Sequence, residues 1–191
     1  MTAEQGFSAE LRARYAVQWR RAHEEHPFVT GIGDGSLSMP RFQYFMRQDY
    51  LFLIDYSRVL AMACAKSPDL ESMGRWGRLL DETLNSEMEL HRSFCADFGI
   101  TLDELEATRA SRATAGYTQH LLTAAHTGTA AEIAAALLPC QWGYDEVGRR
   151  LAAALPAEEG SLHARWVAGY NDPAYQEHTA WLRAFTDRMG E

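Results

Sequence analysis

Lysine is almost missing from this chain: seventeen of its eighteen basic residues are arginine, and Lys66 stands alone. With the many alanines, this reads as compositional bias and carries no functional weight. Nowhere do basic residues gather into a run, and the net charge is −8 at pH 7 with a pI near 5.4. That balance excludes nucleic acid and an anionic membrane surface as expected partners. The three cysteines are an odd number without a short repeated spacing, so neither a disulfide framework nor a zinc site is expected. No window approaches the ~18 uninterrupted apolar residues a membrane helix needs. The opening MTAEQGFSAELRARYAVQ lacks the apolar stretch of a secretory signal. A cytoplasmic, reduced protein is expected.

Strict apolar–polar alternation is absent too, so no strands are predicted. Helical periodicity fills the space instead. Helices are predicted over 8–25, 40–66, 69–98, 116–127, 130–154, 161–170 and 174–189. GIGDG, SP, FGIT, TGT and NDP mark the breaks. Pro40 suits a first helical turn, where its missing N–H costs nothing. Thr101 with Glu104, and Thr129 with Glu132, have capping-box spacing. With 191 residues, 47% of them hydrophobic, the chain suits one all-α domain over 1–191, built as a bundle of antiparallel helices. No internal repeat or linker appears.

Residues that break the pattern carry the chemistry. Asp49 lies on the apolar stripe of the second helix with Phe42, Phe45, Met46, Leu53, Tyr56, Leu60 and Ala63. An unpaired charge there is very costly, so Asp49 is either satisfied by an arginine or a backbone donor, or belongs to a site. On the third helix Met73, Trp76, Leu80 and Leu84 lead to Glu87 and His91, then Phe94 and Phe98. Glu87 and His91, at i,i+4, fit an acid–base or metal pair, or a pair that locks a core. The Glu-x-x-His spacing of di-iron bundles is absent, and no metal is expected. HEEH at 23–26 reads as solvated surface. Cys64 and Cys95 sit in apolar company and read as small buried hydrophobes.

The stretch LLPCQWGYDEVG at 137–148 is different. Pro139 removes the donor for the Ala135 carbonyl, which predicts a kink. Cys140 follows it, with Tyr144 on the same face. Either this is a kinked core helix with a third buried cysteine, or it presents a thiolate. Tyr117 and Tyr170 are further candidates only if they reach the same pocket.

The order HPFVTGIGDGSL, FQYFMRQDYLFL, EMELH, GYTQHLL, AALLPCQWGYDEVG, RWVAGY resembles the thiaminase II (TenA-like) family over about residues 15–175. The resemblance implies a heme-oxygenase-like all-helical fold without heme, usually a homotetramer, with no cofactor. It implies hydrolysis of 4-amino-5-aminomethyl-2-methylpyrimidine to hydroxymethylpyrimidine and ammonia in thiamin salvage, with thiamin cleavage a slower activity. By position, Cys140 matches the nucleophile and Asp49 the carboxylate that binds the aminopyrimidine edge. Tyr144 matches the phenol near the thiol, and Tyr117 and Tyr170 match tyrosines lining the site. Phe52 replaces a tyrosine often found three residues after the pocket Asp. Family members continue into a helix bearing a catalytic Glu, for which the chain ending at Glu191 offers no counterpart; Glu87 is the internal candidate for that acid. Two other classes stay open: a non-enzymatic pyrimidine-binding or regulatory relative, and a metal-dependent heme-oxygenase-like oxidase using Glu87 and His91.

Overall fold

A computed structural model describes residues 6–154 and 161–190; Glu191 lies outside them. Every regular element among the described residues is helical. In chain order these are α1 (Phe7–Arg14), α2 (Ala16–His23), α3 (Pro27–Gly33), α4 (Met39–Ala65), α5 (Leu70–Glu82), a π turn (Thr83–Glu87), α6 (Met88–Asp97), α7 (Leu102–Glu106), α8 (Arg112–Thr127), α9 (Ala130–Ala154), α10 (Leu162–Tyr170) and α11 (Pro173–Met189). The described residues form two compact units: those of 39–133, and those within 1–38 together with those within 134–191.

In the 39–133 unit α4 is the central strut, packed against α5, α6, α8 and the π turn. Its buried stripe of Phe42, Met46, Leu53, Tyr56, Leu60 and Ala63 follows the periodicity of the sequence. The lone lysine has a structural task here. Lys66 Nζ donates to the carbonyls of His126 (3.0 Å) and Gly128 (2.6 Å), placing a cation at the C-terminal end of α8. Both capping boxes form: Thr101 and Thr129 each exchange hydrogen bonds with the glutamate three residues on.

The predicted 69–98 helix is interrupted. The Met88 amide reaches back five residues to the Thr83 carbonyl, forming the π turn. One residue inserted into a helix rotates the downstream residues by about 100°. Ahead of the turn Ser72, Trp76, Leu79 and Thr83 are the buried positions, which leaves Met73 40% and Leu84 47% exposed. Beyond the turn Met88, His91, Phe94 and Cys95 are buried. The insertion is thus what brings His91 inward.

In the other unit α1 packs on α11 and α2, and α10 on α11. The predicted 8–25 helix is two helices divided at Tyr15, whose φ of −109° and ψ of 26° leave the helical region. The GIGDG break lies partly inside α3, which His26 caps by accepting the Phe28 amide at Nδ1 (3.2 Å). HEEH is therefore not simply solvated: His26 is a cap, and His23 is half-buried against Gly143. Ser111 caps α8, which starts at Arg112 rather than 116. α9 continues through Pro139.

Candidate active site

Asp49 and His91 sit on two different helices, and each interrupts an apolar stripe. They turn out to be each other's partner. His91 Nε2 lies 2.8 Å from Asp49 Oδ2, with the two side chains only 4% and 12% exposed. Among the described residues neither an arginine nor a backbone donor bonds Asp49, and the Glu87 and His91 side chains act on each other through charge rather than through a hydrogen bond between them. His91 Nδ1 instead meets the Glu87 backbone carbonyl at 2.9 Å. Both imidazole nitrogens are thereby engaged, and a metal would have to break one of these bonds.

Burial alone would lower the His91 pKa. The hydrogen bond and charge of Asp49, then the charge and carbonyl of Glu87, outweigh it, and the net shift is upward. The Glu87 carboxyl, part of a residue that only partly reaches the surface, is pushed up to about 7 by burial. The charge on His91 opposes that rise and Asp49 adds to it. It is a carboxylic acid poised near neutrality.

One turn along α4 from Asp49, Phe52 lies parallel to Tyr117 of α8, with ring centroids 5.6 Å apart and planes within 5°. Tyr56 stacks on Phe52 at 5.4 Å. The carboxylate thus has a flat aromatic stack beside it on the same helix, a suitable surface for a planar ring. Phe52 gives this stack an aromatic face without a hydroxyl.

Cys140, Tyr144 and Tyr170 belong to the other unit. Cys140 is half-buried and free of disulfides, and Tyr144 lies one turn further along the same face of α9. The Tyr144 ring packs on Tyr170 (4.7 Å between centroids) and Trp166 (6.0 Å). Trp166 and Tyr175, unmarked in the sequence, complete this cluster around Tyr170. Gly148 explains how α10 comes so close. A Cβ there would stand 2.6 Å from the carbonyl carbon and oxygen of Tyr170. Gly148→Ala must therefore push Tyr170 off Tyr144. We expect destabilisation of about 1–3 kcal/mol, read by thermal melting, together with lost activity.

Of the other thiols, Cys95 is buried as predicted, whereas Cys64 is half-buried. Burial pushes both up, with Arg47 partly opposing it at Cys95. A cavity of about 410 Å³ borders Trp19, His23, Leu138, Pro139 and Trp142. It occupies another face of α9 and includes neither Cys140 nor Tyr144. Among the described residues no group of three His, Cys, Asp or Glu side chains is arranged to hold a metal, and no helix is long and apolar enough to cross a membrane.

The chain is similar to proteins of known family. It is 40% identical over 181 residues to an aminopyrimidine aminohydrolase of Halalkalibacterium halodurans, covering 95% of this chain and 80% of that one. An aminopyrimidine aminohydrolase of Bacillus subtilis is 36% identical over 171 residues, covering 90% and 71%. A crystal structure described as a TenA family transcription regulator, from Silicibacter, superposes with a TM-score of 0.90 at 32% identity, covering 99% and 83%. A TenA homologue from P. horikoshii, 24% identical with a TM-score of 0.89 over 96% and 85%, shares the fold. A sequence profile of the TENA/THI-4/PQQC family matches residues 12–191; this all-helical chain belongs to that family.

Proposed function

We propose that the protein is an aminopyrimidine aminohydrolase of thiamin salvage. The observation that carries this reading is the 40% identity to an enzyme of that name along 95% of the chain. The site chemistry supports it: a buried carboxylate beside an aromatic stack suits a flat ring bearing an amino group. The reaction takes 4-amino-5-aminomethyl-2-methylpyrimidine and water to hydroxymethylpyrimidine and ammonia.

Asp49 accepts from the amino edge of the ring, and Phe52 and Tyr117 hold its face. The family resemblance, which alone assigns both sets of residues to one substrate, makes Cys140 the nucleophile: its sulfur bonds to a ring carbon, and the displaced π pair moves to a ring nitrogen, which takes a proton. The ring-nitrogen pair then pushes through the ring to break the bond between the methylene carbon and the protonated aminomethyl nitrogen, which leaves as ammonia and gives an exocyclic methylene. Water adds to the exposed methylene carbon. The carbon–sulfur bond breaks, and the ring regains aromaticity. Tyr144 and Tyr170 border the thiol. Glu87, whose carboxyl is pushed up to about 7, is the internal candidate for the proton donor in its protonated form. The family resemblance supports a cytoplasmic homotetramer.

Incubation of the purified chain with the aminomethylpyrimidine should release ammonia and hydroxymethylpyrimidine in equal amounts. Tight binding without ammonia would identify a pyrimidine-binding relative instead.

A further inference from the structure

We infer that His91 is a positioning residue for Asp49: with Nδ1 committed to the Glu87 carbonyl, its Nε2–H aims the carboxylate at the ligand. This deepens the aminohydrolase reading and rests on it only for the role of Asp49.

Proton counting supplies the argument. A carbonyl oxygen can only accept, so the 2.9 Å contact to Glu87 requires a proton on Nδ1. The 2.8 Å contact to Asp49 requires one more. Two arrangements satisfy both: imidazolium with carboxylate, or neutral imidazole with a carboxylic acid. In the second, Asp49 would spend its proton on His91 and offer the ligand a weak neutral acceptor. In the first, Oδ1, which makes no hydrogen bond among the described residues, faces the ligand as part of a charged acceptor.

The surroundings favour the first arrangement. The charged groups acting on His91 are Asp49 from α4 and Glu87 from the π turn, both acidic, and together they overcome the effect of burial. On α6 itself, Glu89 and Arg92 pair at the surface (3.5 Å).

The pair has a defined pH window. It is intact while His91 is protonated and is lost as pH rises through the elevated His91 value. Above that value one proton is left for two acceptors, so one of the two contacts becomes a meeting of lone pairs, the charge attraction to Asp49 is lost, and the pair no longer holds the carboxylate in place. Ionised Glu87 raises His91 and so extends the window upward. Removing that charge must narrow it from the alkaline side.

The test is a pH titration of the intact chain labelled with ¹⁵N-histidine, followed by two-bond ¹H–¹⁵N spectra, alongside KM and kcat for the aminomethylpyrimidine. In the wild type both His91 nitrogens should carry protons at pH 7, with a midpoint above the ordinary ~6.5. Glu87→Gln should lower the midpoint and move the alkaline rise in KM to the same extent. His91→Gln, which can still donate but carries no charge, should raise KM about 10- to 100-fold at pH 7 and flatten its alkaline rise. Its kcat should stay within about threefold.

A neutral His91 at pH 7, or a midpoint unmoved by Glu87→Gln, would overturn the inference. So would a His91→Gln enzyme that loses kcat while keeping KM and its pH profile. Should His91→Gln fail to fold, the near-isosteric Glu87→Gln still decides through the nitrogen titration. Failure of the wild type to turn over substrate would overturn the aminohydrolase reading and leave this one standing, since the titration needs no substrate.

Discussion

Cys140→Ser is expected to lower kcat by about 10³-fold or more while the pyrimidine dissociation constant stays within about threefold. Sulfur and oxygen differ little in size, so the ligand meets the same surface. They differ greatly as nucleophiles. A cysteine is already a few per cent thiolate at pH 7, whereas a serine hydroxyl needs an adjacent base. Tyr144, one turn along the same face of α9, packs on Trp166 and Tyr170, and a phenol is not a base at neutral pH. The same logic orders the three thiols. Burial raises Cys64 and Cys95, so alkylation of the native protein, mapped by mass spectrometry, should mark Cys140 first. Bound pyrimidine should protect it. Equal labelling of all three, or substantial turnover by Cys140→Ser, would remove Cys140 from the role of nucleophile.

Much of this was legible in the sequence because helical periodicity survives in single residues. The α4 stripe, the two capping boxes and the 130–154 helix follow from local pattern alone. Boundaries that depend on tertiary packing do not. α3 forms through two glycines because His26 caps it and Val29 and Ile32 are buried. The turn at Tyr15 divides a segment whose composition is helical throughout.

The π turn is the instructive case. Nothing in TLNSE announces an extra residue, yet it decides that His91 points inward. A uniform period could therefore identify Glu87 and His91 as anomalies but could not say what they touch. One signal was available: two polar residues of complementary chemistry, each on a core stripe of its own helix. Such residues must be satisfied by something, and pairing them with each other is the economical solution. Gly148 shows the opposite limit, because its reason lies in a backbone 22 residues away.

The second large effect is expected at Asp49. Asp49→Asn preserves volume and planarity but replaces a charged acceptor by a neutral one. A charge-assisted hydrogen bond contributes ~1.5–3 kcal/mol, so the pyrimidine dissociation constant should rise about 10- to 100-fold. Stability should fall as well. Were the carboxylate alone in the core, an amide would relieve a buried charge; the His91 contact at 2.8 Å reverses that sign. Removing one member of a buried pair leaves the other less well satisfied. An amide oxygen can still accept from Nε2, so the loss should be about 1–3 kcal/mol rather than the full cost of a broken pair.

The deficit should also depend on pH in a stated direction. The folded pKa of His91 is raised, chiefly because the hydrogen bond and charge of Asp49 outweigh burial. The stabilisation is thus fully present below the unfolded histidine value near ~6.5 and disappears as pH rises through the folded one. Melting temperatures of wild type and Asp49→Asn should differ most near pH 6 and converge under alkaline conditions. A constant gap across that range would mean that the pair carries no charge. A lowered melting temperature with unchanged pyrimidine affinity would make Asp49 a partner of His91 alone and take it out of substrate binding.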